Sequence, residues 1–77
     1  MKEKEFTLST EYIELIKLLK LLRIAESGSH AKELVEAGEV MRNGIKEFRK
    51  RAKLRSGDII RIGDTAIRIG NSIKKSG

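Results

Sequence analysis

Seven basic side chains fall within fourteen residues of this sequence, and they are the groups with the clearest capacity for chemistry. The run extends from Arg42 to Arg55 and contains one acid, Glu47. Guanidinium and ammonium groups at this density repel one another in a folded chain, and an anionic ligand relieves that repulsion. We therefore expect the stretch to bind an anion rather than to form only a solvated surface. The seven residues are Arg42, Lys46, Arg49, Lys50, Arg51, Lys53 and Arg55.

The charge of the chain is divided unevenly between its two halves. Residues 1–41 carry six Lys or Arg and eight Asp or Glu, whereas residues 42–77 carry eleven basic and three acidic residues. The net charge of +6 therefore comes from the second half of the chain. Such asymmetry indicates a polyanionic partner. A folded RNA, duplex DNA and an acidic protein surface all remain open on these grounds.

Groups suited to catalysis or metal binding are scarce. His30 is the only histidine, cysteine is absent, and Asp58 and Asp64 each follow a glycine in a turn-like context. Neither a nucleophile with its base nor a cluster of metal ligands can be assembled from these residues, and no glycine-rich phosphate loop is present. We expect a binding module and not an enzyme, with no cofactor and no small-molecule substrate.

Length and hydropathy favour a single small domain. The chain has 77 residues, and we expect one domain over residues 1–77, with a core of about 6–70 and a polar tail at 71–77. No apolar run is long enough to span a membrane, and the first residues lack the apolar segment of a signal peptide. We expect a cytoplasmic monomer with no membrane contact.

Two amphipathic segments predict helices that would support the basic run. The first, "EYIELIKLLKLLRIAES", follows Ser9-Thr10 as a possible N-cap and has a broad apolar stripe. The second, "HAKELVEAG", follows a capping turn at Ser27-Gly28-Ser29 and closes on Gly38. The short glycine-containing turn between them predicts a helical hairpin.

The period changes after the second helix and predicts strands. Asn43-Gly44 is the pair favoured in a two-residue β-hairpin, and isoleucines alternate with arginines on both sides of Gly63-Asp64. Phe6 and Leu8 could form a short leading strand. The fold class is therefore α+β, a two-helix hairpin packed on a small, mostly antiparallel sheet of about four to five strands. If "EFRKRAK" is extended, Arg49, Arg51 and Lys53 share one side of it and Lys50 lies on the other.

Aromatic residues are few, which bears on the kind of nucleic acid that could bind. Single-strand binders stack bases on aromatic side chains. The chain has only Phe6, Tyr12 and Phe48, and we expect two of the three to lie in the core. The residues therefore favour phosphate contacts with a folded RNA over base stacking, and duplex DNA stays possible.

The order and spacing of several short motifs resemble a known family. Ala31-Lys32, Leu34-Val35 and Gly38 are followed by Val40, Asn43-Gly44 and Gly57-Asp58. This pattern resembles the S-four RNA-binding domain, also called the αL-motif domain, over nearly the whole chain. The turn and the charged segment are similar to those of small stand-alone bacterial members of the YbcJ type; they comprise Ser27, Gly28, Ala31 and Lys32, then Glu47, Arg49, Lys50, Arg51 and Lys53.

The resemblance implies a structured RNA ligand, ribosomal or transfer RNA, and a translation-related process with the ribosome as one expected partner. Two residues depart from the family pattern. Gly28 stands where many members carry an arginine, and Arg42 stands where a valine usually precedes Asn-Gly. The first departure removes a common RNA contact, so binding would depend more on the basic run.

The residues expected to contact RNA come from three places in the sequence. The basic run supplies phosphate contacts, Asn43 shapes the hairpin, and the start of the second helix offers backbone amides that attract anions. Two lysines of the first helix join them if the helices lie beside the basic run. The complete set is Arg42, Asn43, Lys46, Arg49, Lys50, Arg51, Lys53, Ser29, His30, Lys32, Lys17 and Lys20.

Overall fold

The structure is a computed structural model that describes residues 2–71. The chain order is β1 (Lys2–Leu8), β2 (Ile13–Glu14), α1 (Leu15–Leu21), α2 (Gly28–Glu36), β3 (Val40–Arg42), β4 (Ile45–Lys46), β5 (Lys53–Leu54), β6 (Ile59–Ile62) and β7 (Thr65–Asn71). The fold is α+β, with two helices packed on a mostly antiparallel sheet, as the sequence predicts. Apart from residue 71, the expected polar tail lies outside the described residues.

Across residues 2–71, five strands form the main sheet in the order β1-β7-β6-β3-β4, and β2 pairs separately with β5. The expected leading strand exists and is longer than Phe6 to Leu8. It runs parallel to β7, with Phe6 beside Ile69, while the other pairs in the sheet are antiparallel. No helix within these residues is long and apolar enough to cross a membrane.

The core lies between the helices and one face of the sheet. Alternation in β6 and β7 buries Ile60, Ile62, Ile67 and Ile69, as expected for a half-buried antiparallel pair. The residues between them, Arg61 and Arg68, are exposed, as is Ile59 at the start of β6. The helices contribute leucine, alanine and valine from their apolar faces. The largest fully buried side chains are Leu8, Leu15, Leu18, Leu19, Val35, Val40, Leu54, Ile60, Ile67 and Ile69.

The second helix follows its sequence signals closely. Ser27 caps it by accepting a hydrogen bond from the His30 backbone N–H at 3.1 Å. At the other end Gly38 has a φ of 78°, and its N–H donates to the Val35 carbonyl. The Glu39 N–H donates to the Leu34 carbonyl, which completes the paired bonds of a Schellman motif.

The first helix is shorter than the sequence predicts, and Ser9-Thr10 is not its N-cap. The helix begins at Leu15 because Ile13–Glu14 instead pairs with Lys53–Leu54 as a short ladder. It ends at Leu21, shortly before Arg23, whose φ of 60° is left-handed. The apolar periodicity predicts a helix over residues that instead form a strand and a turn. Pairing with distant residues determines both, and the periodicity does not report it.

Both hairpins form at the predicted turns. Asn43 and Gly44 have φ values of 53° and 86°, the left-handed pair that a two-residue turn of type I′ requires. Gly63 has a φ of 56° between Ile62 and Thr65, which are directly paired. These turns fix the register of β3 with β4 and of β6 with β7.

The carboxylate of Asp58 links the first hairpin to the segment that follows β5. It accepts hydrogen bonds from Arg42 Nη2 at 2.9 Å and Nε at 3.2 Å. It also accepts from Asn43 Nδ2 at 3.1 Å and from the Arg55 backbone N–H at 2.8 Å. Burial raises the pKa of Asp58, but the hydrogen bonds from Arg55, Asn43 and Arg42 outweigh it, so the net pKa lies below its ordinary value of 3.8.

Replacing a buried leucine of α1 should test the core assignment. Leu18 is fully buried and Leu21, on the same helix, is 55% exposed. Leu18→Ala should lower the free energy of unfolding by about 2–5 kcal/mol, because it removes buried methyl groups and leaves a cavity. Leu21→Ala, the matched control, should change it by less than about 0.5 kcal/mol. Urea denaturation followed by circular dichroism measures both, and equal losses would contradict the packing described.

Asp58→Asn should destabilise the fold and alter its acid response. Losing the charged acceptor should cost about 1–3 kcal/mol near neutral pH, since Arg42 keeps an incompletely paired guanidinium. Because the folded pKa lies below the unfolded one, this stability is present above the unfolded pKa and is lost as pH falls through the folded pKa. Below about pH 4 the gap between wild type and variant should therefore narrow.

Asp64→Asn is the control for that measurement, because Asp64 is an exposed turn residue that undergoes the same chemical change. Urea unfolding at several pH values should show it within about 0.5 kcal/mol of wild type throughout. If Asp58→Asn behaves as this control does, the carboxylate does not hold the hairpin.

Candidate nucleic-acid interface

Three consecutive basic residues at the centre of the run project from a loop and not from a strand. The chain between β4 and β5, residues 47–52, is called the basic loop here. Arg49, Lys50 and Arg51 lie in it, and the Ala52 N–H donates to the Arg49 carbonyl to close a turn. The predicted alternation of an extended segment is therefore wrong for these three residues. The reason is that the loop backbone bonds to a helix instead of to a neighbouring strand.

The basic loop serves as the N-terminal cap of α1. Glu14, at the N-cap position, makes no side-chain capping bond. The Leu15 N–H instead donates to the Ala52 carbonyl at 3.0 Å, and the Ile16 N–H donates to the Lys50 carbonyl at 3.2 Å. The first amides of a helix need partners from outside it, and here the loop provides them. The basic loop is thus fixed to the helix by its backbone, which leaves its side chains free to face outward.

Arg42 closes the base of the loop. Besides Asp58, its Nη2 donates to the Lys53 carbonyl at 2.8 Å, and its Nη1 lies 3.6 Å from Glu47 Oε1. The guanidinium therefore contacts residues at both ends of the basic loop. Its side chain is only 23% exposed. This arrangement gives Arg42 a structural role. It leaves little of the guanidinium accessible for the phosphate contact predicted from the sequence.

Asn43 is also occupied within the chain. Its Oδ1 accepts from the Ile59 N–H at 2.9 Å while its Nδ2 donates to Asp58. The expectation that Asn43 shapes the hairpin agrees with this geometry. A direct contact between its amide and a ligand stays a prediction.

Glu47 is the one acid inside the basic run, and it turns inward. The side chain is 10% exposed and accepts from Arg49 through Nε at 3.0 Å, Nη2 at 3.3 Å and the backbone N–H at 3.1 Å. The bonds from Arg49 lower the pKa of Glu47, and the smaller opposing effect of burial does not cancel them. Arg49 nevertheless remains 74% exposed, so it can pair with Glu47 and still reach a ligand.

The remaining cations of the run have no acidic partner within residues 2–71. Lys46, Lys50 and Arg51 are exposed. Lys53 Nζ and the Arg55 guanidinium lie 5.0 and 5.8 Å from the centre of the Tyr12 ring, within cation–π range. The uncompensated charge expected from the sequence is therefore present on the folded surface.

The second helix reaches the basic loop with its C-terminal end, not with the N-terminal end that the sequence suggested. Glu36 borders a pocket with residues 48–53, and Phe48 lies against Gly38. Ser29 and Lys32 fall on the same helical stripe as Glu36, seven and four residues earlier, so they extend away from the loop. His30 lies off that stripe, is half-buried, and accepts the Glu26 N–H at Nδ1.

The lysines of the first helix are less closely tied to the loop. Lys17 and Lys20 are both exposed. Lys17 borders a different groove, which is lined by Phe6, Tyr12 and Leu21 among others. The structure therefore does not bring all twelve predicted residues into one patch. It brings together Lys46 and residues 49–53 near the C-terminal end of α2. Lys32 and Ser29 lie farther from the loop, on earlier turns of the same helix.

Two aromatic residues were missed by the sequence reasoning. Phe48 is 57% exposed and Tyr12 is 36% exposed, whereas Phe6 packs partly buried against the core. The expectation that two of the three aromatics lie in the core is wrong. A signal was present in the sequence, because Phe48 has charged residues on both sides at positions 46, 47, 49 and 50.

The space around Gly28 bears on the departure from the family pattern. A methyl group at this position would have no neighbouring atom within 4 Å. Packing around the Cβ position therefore does not require glycine here.

Comparison with known proteins agrees with the fold and the motif order. The solution structure of YbcJ from E. coli, described as revealing an αL motif involved in RNA binding, superposes with a TM-score of 0.64. It is 30% identical in sequence, and the match covers 91% of this chain and 87% of YbcJ. No functionally curated protein gives a significant sequence match.

The family profile for the S4 domain, the S-four domain of the sequence analysis, matches residues 6–70. That range extends from β1 through β7 and includes both helices, the Asn-Gly hairpin and the basic loop. This chain is a member of the S4 domain family.

Proposed function

We propose that this chain is an RNA-binding module that recognises a structured RNA through the basic loop. The observation that carries the proposal is the fixed loop itself. Its backbone is held by α1, its acid Glu47 is turned inward, and its cations face outward. Membership of the S4 family and the likeness to YbcJ, whose αL motif is described as involved in RNA binding, support the same assignment.

Phosphate is the group that this surface suits best. Arginine and lysine at the surface neutralise phosphate charges and release counterions, which gives affinity without base recognition. The proposed contacts are the outward cations, and Arg42 is assigned to holding the loop. The outward cations are Lys46, Arg49, Lys50, Arg51 and Lys53. Lys32 and Ser29 extend this surface, and His30, Lys17 and Lys20 lie at its margins.

A folded RNA fits a compact, rigid cluster of cations better than an extended single strand does. Protein contacts with folded RNA rest largely on shape, on phosphates and on 2′-hydroxyl groups. We propose ribosomal or transfer RNA as the ligand, with the ribosome as a partner and translation as the process. A cytoplasmic site of action follows from that choice of ligand.

Removing the charge of the loop should abolish RNA binding while the fold stays intact. Arg49→Ala, Lys50→Ala and Arg51→Ala combined should weaken binding of a folded ribosomal or transfer RNA fragment by about 100-fold or more at moderate salt, since three phosphate contacts are lost. Binding is measured by fluorescence anisotropy, and circular dichroism checks the fold. The carbonyl of Lys50 still caps α1, because alanine keeps the backbone.

The matched control removes three charges at the opposite edge of the sheet. Lys2→Ala, Lys4→Ala and Arg68→Ala change exposed residues of β1 and β7 and reduce the net charge equally. The RNA affinity of this variant should fall by less than about tenfold, which is the loss expected from the change in net charge alone. Equal losses in the two variants would show that overall basicity, not the loop, governs binding.

Competition with duplex DNA of equal charge reports whether the surface prefers RNA.

The dependence of affinity on salt should report the number of phosphates in contact. With five outward cations engaged, the slope of log affinity against log salt should be about −3.5 to −4.5. The triple-alanine variant, where its binding remains measurable at low salt, should lower the magnitude of the slope by about 2–3. A slope near zero in the wild type would contradict phosphate-dominated binding.

A further inference from the structure

The Phe48 ring is exposed in a way that packing alone does not explain. One side of it lies against the end of α2, where a methyl group at position 38 would sit 3.4 Å from Cε1 and 3.7 Å from Cζ. The ring therefore lies within van der Waals reach of the end of α2 through Cε1 and Cζ. The side chain still keeps 57% of its surface open to solvent. A large aromatic group that rests against the protein and keeps more than half of its surface open can serve as a stacking platform.

An open pocket of about 630 Å³ lies beside this ring. It is lined by Phe48, by residues 49–53 and by Glu36 of α2. Its volume falls within the range of pockets that hold small organic ligands, and one nucleotide is of that size. The lining therefore combines an aromatic ring with the cations proposed above to bind phosphate.

This combination matches the chemistry of an unpaired nucleotide. A nucleotide carries a flat aromatic base and an anionic phosphate a short distance apart, and the pocket offers a partner for each. A fully paired stem buries its base faces and presents only phosphates and groove edges. An apolar side chain of a protein partner would pack on the Phe48 ring but would leave the surrounding cations without an anionic partner. Charge complementarity thus favours the nucleotide.

We propose that Phe48 stacks on one unpaired base of the RNA, while the adjoining cations of the basic loop hold its phosphates. The inference rests on the proposed function and narrows it to an RNA that presents an unpaired base, in a bulge, a loop or an end, beside a folded region. It departs from the expectation that the scarcity of aromatic residues favours phosphate contacts over base stacking. Phe48 is then a specificity-determining residue, and the loop cations supply most of the affinity.

The binding test uses two RNA hairpins that differ only in a single-nucleotide bulge. Wild type should bind the bulged hairpin more tightly than the fully paired one. Phe48→Leu keeps an apolar group against Gly38 but removes the aromatic face. It should weaken binding of the bulged hairpin by about 5- to 50-fold, in line with the measured cost of losing one base–aromatic stack. Binding of the paired hairpin should change by less than about twofold, and Phe48→Trp should retain the preference for the bulge.

Tyr12→Leu is the matched control, since Tyr12 is the other exposed aromatic and does not line the pocket. It should leave the preference for the bulged hairpin unchanged. If Phe48→Leu binds both hairpins as wild type does, or if Tyr12→Leu removes the preference equally, the stacking proposal is overturned. If wild type binds neither hairpin, the proposed function itself fails. The two failures are therefore distinguishable.

A direct readout is available from the few aromatic residues of the chain. Besides the imidazole of His30, only the rings of Phe6, Tyr12 and Phe48 give aromatic side-chain signals in NMR spectra. Adding the bulged hairpin should move the Phe48 ring protons upfield through the ring current of the stacked base and should give cross-peaks to base protons. Phe6, which is packed against the core, should not shift. If the Phe48 signals do not move in a saturated complex, the stacking proposal is overturned. An apolar side chain of a protein partner is then the alternative occupant of the pocket.

Discussion

The pairing of Arg42 with Asp58 is the interaction on which the functional surface depends. One guanidinium bonds to the Asp58 carboxylate, to the Lys53 carbonyl and, at longer range, to Glu47. Since Glu47 and Lys53 lie at the two ends of the basic loop, one side chain holds both ends together. The loop carries several like charges that tend to spread apart, and this link opposes that tendency. A hydrogen-bonded ion pair with limited exposure is better suited to this than an exposed surface pair would be.

The acids and the cations of this region are used for opposite purposes. Glu47 and Asp58 face inward, and hydrogen bonds from neighbouring groups hold the pKa of each carboxylate below its ordinary value. They satisfy Arg42, Asn43 and part of Arg49. The other cations face outward, and no acid among residues 2–71 neutralises them. The charge run therefore divides into an internal network, which sets the geometry, and an outward group, which is free for a ligand.

Features coded by neighbouring residues could be predicted from the sequence, and features coded by distant ones could not. Ser27 acts through its side-chain hydroxyl, and Gly38 and Asn43-Gly44 act through their own backbone geometry. The second helix and the first hairpin follow directly from these residues. The start of α1 depends on strand pairing between Ile13–Glu14 and Lys53–Leu54, about forty residues apart along the chain, and on carbonyls of the basic loop. A periodicity of apolar residues carries no information about either.

The candidate site shows the same division. Its overall charge and most of its outward cations could be read from composition, because an exposed lysine needs no particular partner. The role of Arg42 depends on Asp58, sixteen residues later, and the exposure of Phe48 depends on the loop leaving the sheet. The sequence alone could assign neither feature for that reason. Side chains that act through a distant partner require the fold before their role can be assigned.

The two departures from the family pattern have different physical meanings. Arg42 replaces a usual valine and is tied into the fold by bonds that valine cannot make, so this position has become part of how the loop is held. Gly28 replaces a common arginine, and nothing nearby requires it to be glycine. Packing around the Cβ position therefore does not account for the glycine at position 28. Together they shift the proposed contact surface away from the start of α2 and toward its other end, where the basic loop and Phe48 lie. That is the end at which a base and its phosphates can be held side by side.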